Sequence, residues 1–375
     1  MNYNLRFPVN QKSEYKPGDN VDFVMSFPAM SLLGNSVHLS GVLNVYKVPG
    51  HRVLATDKIY YDSATGINSF FNNVVVSSFT KGTIETQSDY PRWIKMKHTA
   101  TKTASQLVTS NNLLTQLLCQ DDSLTTPLMT DKLPFSVAVD CCLNNSVPTQ
   151  DNVAAEIPYV VSGDVTLCLR LVQPLEALYG ADVNAQVTYT ITDFACEYVT
   201  KPQDPKPPHP TMLINYSVKQ IINSSNAVVN VKLPAIINRM SSSFMKVSEE
   251  LQYTLNNLEL ERPKGIDKLY YTFNDSTNTF ITYPIESIED ILQHYLESFQ
   301  NPDVDMSAPD AVNSNIRKNN ATLRKIIENK LFGVGLDLET NLSLQNTSLG
   351  VQIHSQVETT DPYYMYAYFK GVISL

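Results

Sequence analysis

GDVTLCLRLVQPLEALYGADVNAQVTYTITDFACEYV, residues Gly163 to Val199, decides the fold. Val165, Leu167, Leu169 and Leu171 alternate with Thr166, Cys168 and Arg170, the pattern of a strand with one buried face. Pro174 to Asp182 carries the chain around through Gly180 into a second alternating run, Val187, Tyr189 and Ile191 against Thr188, Thr190 and Thr192. After Asp193 the phase slips, so that Phe194, Cys196 and Tyr198 share a side, which predicts a bulge or a change of neighbours. Two long strands of this kind need a partner sheet, and the chain reads as an antiparallel β-sandwich of jelly-roll type, either one with a large insertion or two side by side.

Outward from this stretch the same signals recur. Val21 to Phe27 alternates as a first strand after the KPGDN turn, and Val37 to Val48 is a second, with Gly41 in mid-strand predicting a bulge or a close backbone approach. Phe70 to Phe79 and Pro134 to Leu143 read as further strands, with a helical insert near 84–118 between them. Met1 to Lys12 has little periodicity and reads as an extended tail that must find a surface outside its own core.

These readings divide the chain into a β-rich jelly-roll portion over 1–200, a Pro-rich linker over 201–210 (KPQDPKPPHP) and a second β-rich portion over 211–375. The second portion is expected to hold helices near 287–300 and 311–331, the first capped by Ser287, as an inserted domain. The final strand, Tyr363 to Leu375, is expected to be an integral sheet member and to return to the jelly roll.

Composition limits the functions available. The 375 residues carry a net charge of −9 and only 17% charged residues, against about 25% in soluble domains generally. With no basic cluster, direct nucleic-acid binding is not expected. No apolar run approaches the ~20 residues of a membrane-spanning helix, and the first residues lack a signal-peptide pattern, so no membrane span is expected and synthesis in a cytosol-like compartment is. Five cysteines at 119, 141, 142, 168 and 196 read as buried thiols rather than a disulfide framework. Nucleotide, zinc-protease and hydrolase motifs do not occur. The histidines at 38, 51, 98, 209, 294 and 354 are dispersed, and the carboxylate pairs Glu259 with Glu261 and Asp303 with Asp305 read as loop charges rather than glycosidase or calcium sites. Asn-x-Ser/Thr sequons such as those at Asn215 and Asn341 are expected by chance in an Asn-rich chain. The aromatic run Tyr363, Tyr364, Tyr366, Tyr368 and Phe369 reads as a core or subunit-contact strand in preference to a stacking platform. No catalytic, cofactor-binding or metal-binding residue is therefore assigned, and the protein is expected to be structural and not an enzyme.

The runs VHLSGVLNVYKV, SATGINSFFNNVVVSSFTKGTIETQSDYPRWIKM, LPFSVAVDCCLN and VTLCLRLVQPLEALYGADVNAQVTYTITDF resemble the penton, or minor capsid, proteins of virophages and their polinton-like relatives, those of Sputnik-type virophages most of all. The resemblance covers most of Val37 to Val199 and is loose beyond the linker. It implies a single jelly roll with an inserted domain, forming homopentameric capsomers at the vertices of an icosahedral double-stranded DNA virion, next to capsomers of a separate major capsid protein. It implies no cofactor, location in the virion and assembly in the host cytoplasm. Two alternatives stand beside it: a compact double-jelly-roll major capsid protein forming trimeric capsomers, for which the chain length is suited, and a glycan-binding surface sandwich. If carboxylates accept hydrogen bonds between subunits, assembly contacts are expected to loosen in acid.

Overall fold

The computed structural model describes the chain apart from residues 48–50, 55–56, 63, 102–131, 148–154, 208, 223–230, 233–235, 251, 261–265, 275–278, 288–289, 292–293, 295–297, 300–332, 344–347 and 356–361. The fold is all-β and mainly antiparallel. Its first eight long strands are β1 (Asn2–Arg6), β2 (Asn20–Met25), β3 (His38–Lys47), β4 (Phe71–Ser78), β5 (Gly82–Gln87), β6 (Lys132–Ala138), β7 (Val165–Leu171) and β8 (Val187–Pro202). They pair in the order β1-β8-β3-β6 in one sheet and β2-β7-β4-β5 in the other. That interleaving of early and late strands is the jelly-roll arrangement.

The alternation read from the sequence fills the space between these sheets. Val165, Leu167, Leu169 and Leu171 of β7 face Leu39, Leu43 and Val45 of β3 and Val187, Tyr189 and Ile191 of β8 within one buried cluster. The slip after Thr192 is a register shift in the pairing of β8 with β3, made at Asp193, whose φ is 52°. It turns Phe194 inward, where its ring meets those of Tyr15, Phe23, Phe71 and Phe135 at 5.2–6.1 Å. Gly41 sits opposite this bulge, and a Cβ there would lie 3.0 Å from Phe135 and 3.1 Å from the Thr192 carbonyl. Helix α1 (Tyr90–Thr101) occupies the expected insert, which opens with β5 rather than with helix; the rest of that insert lies outside the described residues.

The second β-rich portion follows the first sandwich rather than interrupting it. Its strands are β9 (Thr211–Ile222), β10 (Val231–Lys232), β11 (Ile236–Lys246), β12 (Ile266–Asn274), β13 (Thr279–Ile285), β14 (Gly333–Ser343), β15 (Ser348–Ser355) and β16 (Tyr363–Ser374). They pair as β9-β16-β11-β14 and β10-β15-β12-β13. Numbered within its own set, this order is the same as that of the first eight, so the chain carries the jelly-roll strand order twice. Of the two arrangements open from the sequence, one sandwich with a large insertion or two side by side, the strand pairing is that of two sandwiches in tandem. The closing strand β16 lies between β9 and β11, so its place is in the second sandwich and not the first.

The proline-rich stretch begins inside β8, which runs to Pro202. The helix expected near 287–300 is described only in part: the Asp290 amide bonds to Ser287 Oγ at 3.0 Å, and the amides of Ile291 and Ser298 bond to the carbonyls of Ser287 and His294. These are an N-cap and helical i→i−4 bonds. The helix expected near 311–331 lies outside the described residues.

Candidate assembly surface and the junction between sandwiches

The N-terminal arm differs from its sequence reading. It is not a free tail: β1 lies antiparallel to β8, with Asn2 opposite Thr200 and Arg6 opposite Cys196. Asn4 Nδ2 donates to Thr200 Oγ1 at 3.0 Å and Arg6 Nε to the Tyr198 hydroxyl at 3.1 Å, so the even-numbered side chains fasten the arm. The odd-numbered Met1, Tyr3, Leu5, Phe7 and Val9 are left 51–87% exposed. This is a period-2 apolar stripe on a sheet-edge strand, a feature that isolated soluble proteins avoid and that contact surfaces use. Its signal in the sequence was the alternation of these five residues with Asn2, Asn4, Arg6 and Pro8. A second exposed apolar pair is Phe79, on the turn after β4, and Val160, on the short helix Tyr159–Ser162; the Phe79 amide bonds to the Asp164 carbonyl just beyond that helix at 2.9 Å.

The two sandwiches meet along β5 and β9. Thr86 pairs in parallel with Tyr216, and Ser217 Oγ both receives the Ser88 amide and donates to the Ser88 carbonyl. Residues 252–260 then reach from the second sandwich onto the first: the Gly180 amide bonds to the Tyr253 carbonyl, Asn256 Nδ2 to Asp62 Oδ2, and the Arg92 guanidinium to the Asn257 carbonyl. Gly180, at φ 133°, leaves no room for a Cβ against the Lys58 carbonyl.

Charges buried at this junction are paired. Burial works against ionisation of Asp140, but Lys97 at 2.7 Å, together with Trp93 Nε1 and Asn145 Nδ2, holds its carboxyl well below the usual range. Lys370 is pushed down to about 8 by burial and by Lys97 beside it. Glu85 goes the other way: burial raises its carboxyl to about 7 in spite of its hydrogen bonds.

A cleft of ≈ 180 Å³ opens beside the junction, bordered by Asp89, Arg92, Glu176, Lys219, Glu250 and Tyr366. Lys219 bonds to Glu250 at 2.6 Å and lies 3.9 Å from the Tyr364 ring centre, and Arg92 lies 4.5 Å from that of Tyr366. The cations of the cleft, Arg92 and Lys219, are thus engaged by neighbours within the chain.

Glu259 is exposed on a loop, and Glu261, Asp303 and Asp305 lie outside the described residues. Among the described residues no three of His, Cys, Asp and Glu are grouped to hold a metal ion. Cys141, Cys142 and Cys196 are buried free thiols, and Cys168 is half-buried. Tyr363, Tyr366, Tyr368 and Phe369 are buried in β16, where the Tyr368 ring packs on Trp93 of α1 at 5.4 Å. No helix among the described residues is long and apolar enough to cross a membrane.

No protein-family model matches the sequence, and no curated protein does. Solved structures do match in fold. The Faustovirus major capsid protein superposes with a TM-score of 0.58 at 7% identity, covering 100% of this chain and 90% of that one. The major capsid protein of STIV gives 0.52 at 9% identity, covering 99% and 97%. A chain of the Sputnik virophage structure gives 0.50 at 12% identity, covering 100% and 86%. Over nearly its whole length, therefore, this chain has the jelly-roll fold of viral major capsid proteins.

Proposed function

We propose that this protein is a structural unit of an icosahedral viral shell, and within that class a major capsid protein that assembles as trimers. The observation that carries this reading is the repeated strand order. A chain with two jelly-roll sandwiches gives six around a threefold axis, a near-hexagonal block suited to tiling flat shell facets. The pentameric vertex reading needs one sandwich per copy around a fivefold axis, and only the resemblance of Val37 to Val199 to penton proteins favours it. Cyclic assembly requires heterologous contacts, in which one face of a copy meets a different face of the next. The stripe on β1 and the Phe79–Val160 pair supply apolar surface for such contacts. The assembly so formed belongs in the virion, beside neighbouring capsomers.

Mass measurement of the purified protein by light scattering tests the assignment. A trimer is expected. A pentamer would return the protein to the vertex, and a monomer at high concentration would remove the shell reading altogether.

A further inference from the structure

Glu85 lies on β5 at the point where the two sandwiches join, and its side chain is 1% exposed with the residue. Its Oε2 accepts the Cys142 amide at 2.5 Å, and its Oε1 accepts Gln87 Nε2 at 2.5 Å and Asn215 Nδ2 at 3.2 Å. Asn215 belongs to β9, so this carboxyl bridges the two sandwiches. All three donors are neutral. The amide oxygens of the same two partners, Gln87 Oε1 and Asn215 Oδ1, are buried without a hydrogen-bond partner. An unmet buried acceptor is costly, and side-chain amides turn over readily to meet a donor.

The charged and titratable groups around Glu85 give it little reason to ionise. Asp140 repels it, and Lys97, the cation nearest to hand on α1, is taken up by Asp140 at 2.7 Å. Lys370 on β16 is itself driven toward its neutral form by burial, with Lys97 and Arg239 adding to the effect. The Tyr90 hydroxyl and the Cys141 and Cys142 thiols are held protonated by burial.

Gln87 Nε2 also donates to the Asp140 carbonyl at 2.8 Å, which fixes that amide, whereas Asn215 is free to turn. We propose that Glu85 is a proton-operated latch between the sandwiches: its carboxyl holds a proton in the joined state, donates it to the amide oxygen of Asn215, and loosens β5 from β9 when the proton leaves. In keeping with this, burial lifts the carboxyl from 4.5 to about 7. The native chain then holds a proton that the unfolded chain has released between those values, so the stabilisation is present in acid and lost as pH rises through about 7. Asp140, with its carboxyl lowered, acts only below the ordinary carboxylate range, and Lys370 acts between about 8 and 10.5, so neither overlaps this window. The proposal does not depend on the assembly state.

The test is the thermal unfolding midpoint of the intact chain between about pH 5.5 and pH 8, with Glu85→Gln alongside the wild type. Glutamine keeps the shape and carries no titrating proton. The midpoint of the wild type is expected to fall across this range and that of Glu85→Gln to fall much less; equal slopes, or a flat wild-type profile, would overturn the latch. A measurement that does not need the Glu85 variant to fold is infrared spectroscopy of ¹³C-glutamate-labelled protein in the Glu176→Gln background, which removes the other glutamate raised by burial among the described residues. A protonated glutamate carbonyl band present at about pH 5.5 and gone by about pH 8 is expected, and its absence at the lower pH would refute the proposal.

Discussion

Asp62 shows how a single side chain ties the two sandwiches. Its Oδ1 accepts the Ala64 and Thr65 amides, both at 3.0 Å, and shapes the turn into the next segment. Its Oδ2 receives Lys95 Nζ at 2.7 Å from α1 and Asn256 Nδ2 at 2.8 Å from the second sandwich. The Asp62 and Lys95 side chains are 2% and 11% exposed, so solvent does little to screen them. Removing one member of a buried pair leaves an uncompensated charge, and Lys95→Met is expected to destabilise by about 3–5 kcal/mol. Urea unfolding measures this, and a loss below about 1 kcal/mol would mean that water replaces the ammonium. Neither this group nor the one around Glu85 was legible in the sequence. Asp62, Lys95 and Asn256, like Glu85, Cys142 and Asn215, are far apart along the chain and follow no spacing rule; tertiary packing brings them together, with the pairing of β5 and β9 setting Asn215 beside Glu85. Within one copy acid has no single effect, because Glu85 and Asp140 titrate with opposite effect.

Among the elements, β3 and β8 were the most readable, because one buried face imposes strict alternation and any interruption stands out. Gly41 and the slip after Asp193 are two sides of one feature, a bulge in β8 that needs a residue without a side chain across from it. One neighbour there is the ring of Phe135, which can shift slightly; the other is the Thr192 carbonyl, which is fixed by the sheet. Gly41→Val is therefore expected to cost about 1–3 kcal/mol through overpacking, read as a lowered unfolding midpoint. An unchanged midpoint would show that the bulge adjusts without strain. The Ser287 cap was legible for a similar reason, since its signal lies within four residues. β10 was legible only as part of a longer alternation over Ala227 to Leu233, of which Val231 and Lys232 are the strand among the described residues. β1 was read only as an extended tail in need of a surface, because its apolar alternation faces outward and nothing in the sequence marks β8 as the strand it lies beside.

For the whole molecule the decisive property, the same strand order in both sandwiches, leaves no trace as a sequence repeat. Strand order is set by long-range pairing, and two segments share it without sharing residues or a fixed period. What the repeat implies for assembly is testable at the apolar stripe that the fold leaves uncovered along the N-terminal arm. Tyr3 and Phe7 are 87% and 51% exposed, so neither contributes much to the fold of an isolated copy. Replacing both by aspartate is expected to leave the unfolding midpoint of the dissociated protein within the small range of surface substitutions, about 0.5 kcal/mol. If β1 lies between copies, each aromatic side chain buried there contributes about 1.5–3 kcal/mol, so the double variant Tyr3→Asp, Phe7→Asp should dissociate at concentrations at least about 100-fold higher than the wild type. Light scattering across a dilution series measures the shift. A variant that assembles like the wild type would remove β1 from the contact and leave Phe79 and Val160, 87% and 62% exposed, as the surface to alter next.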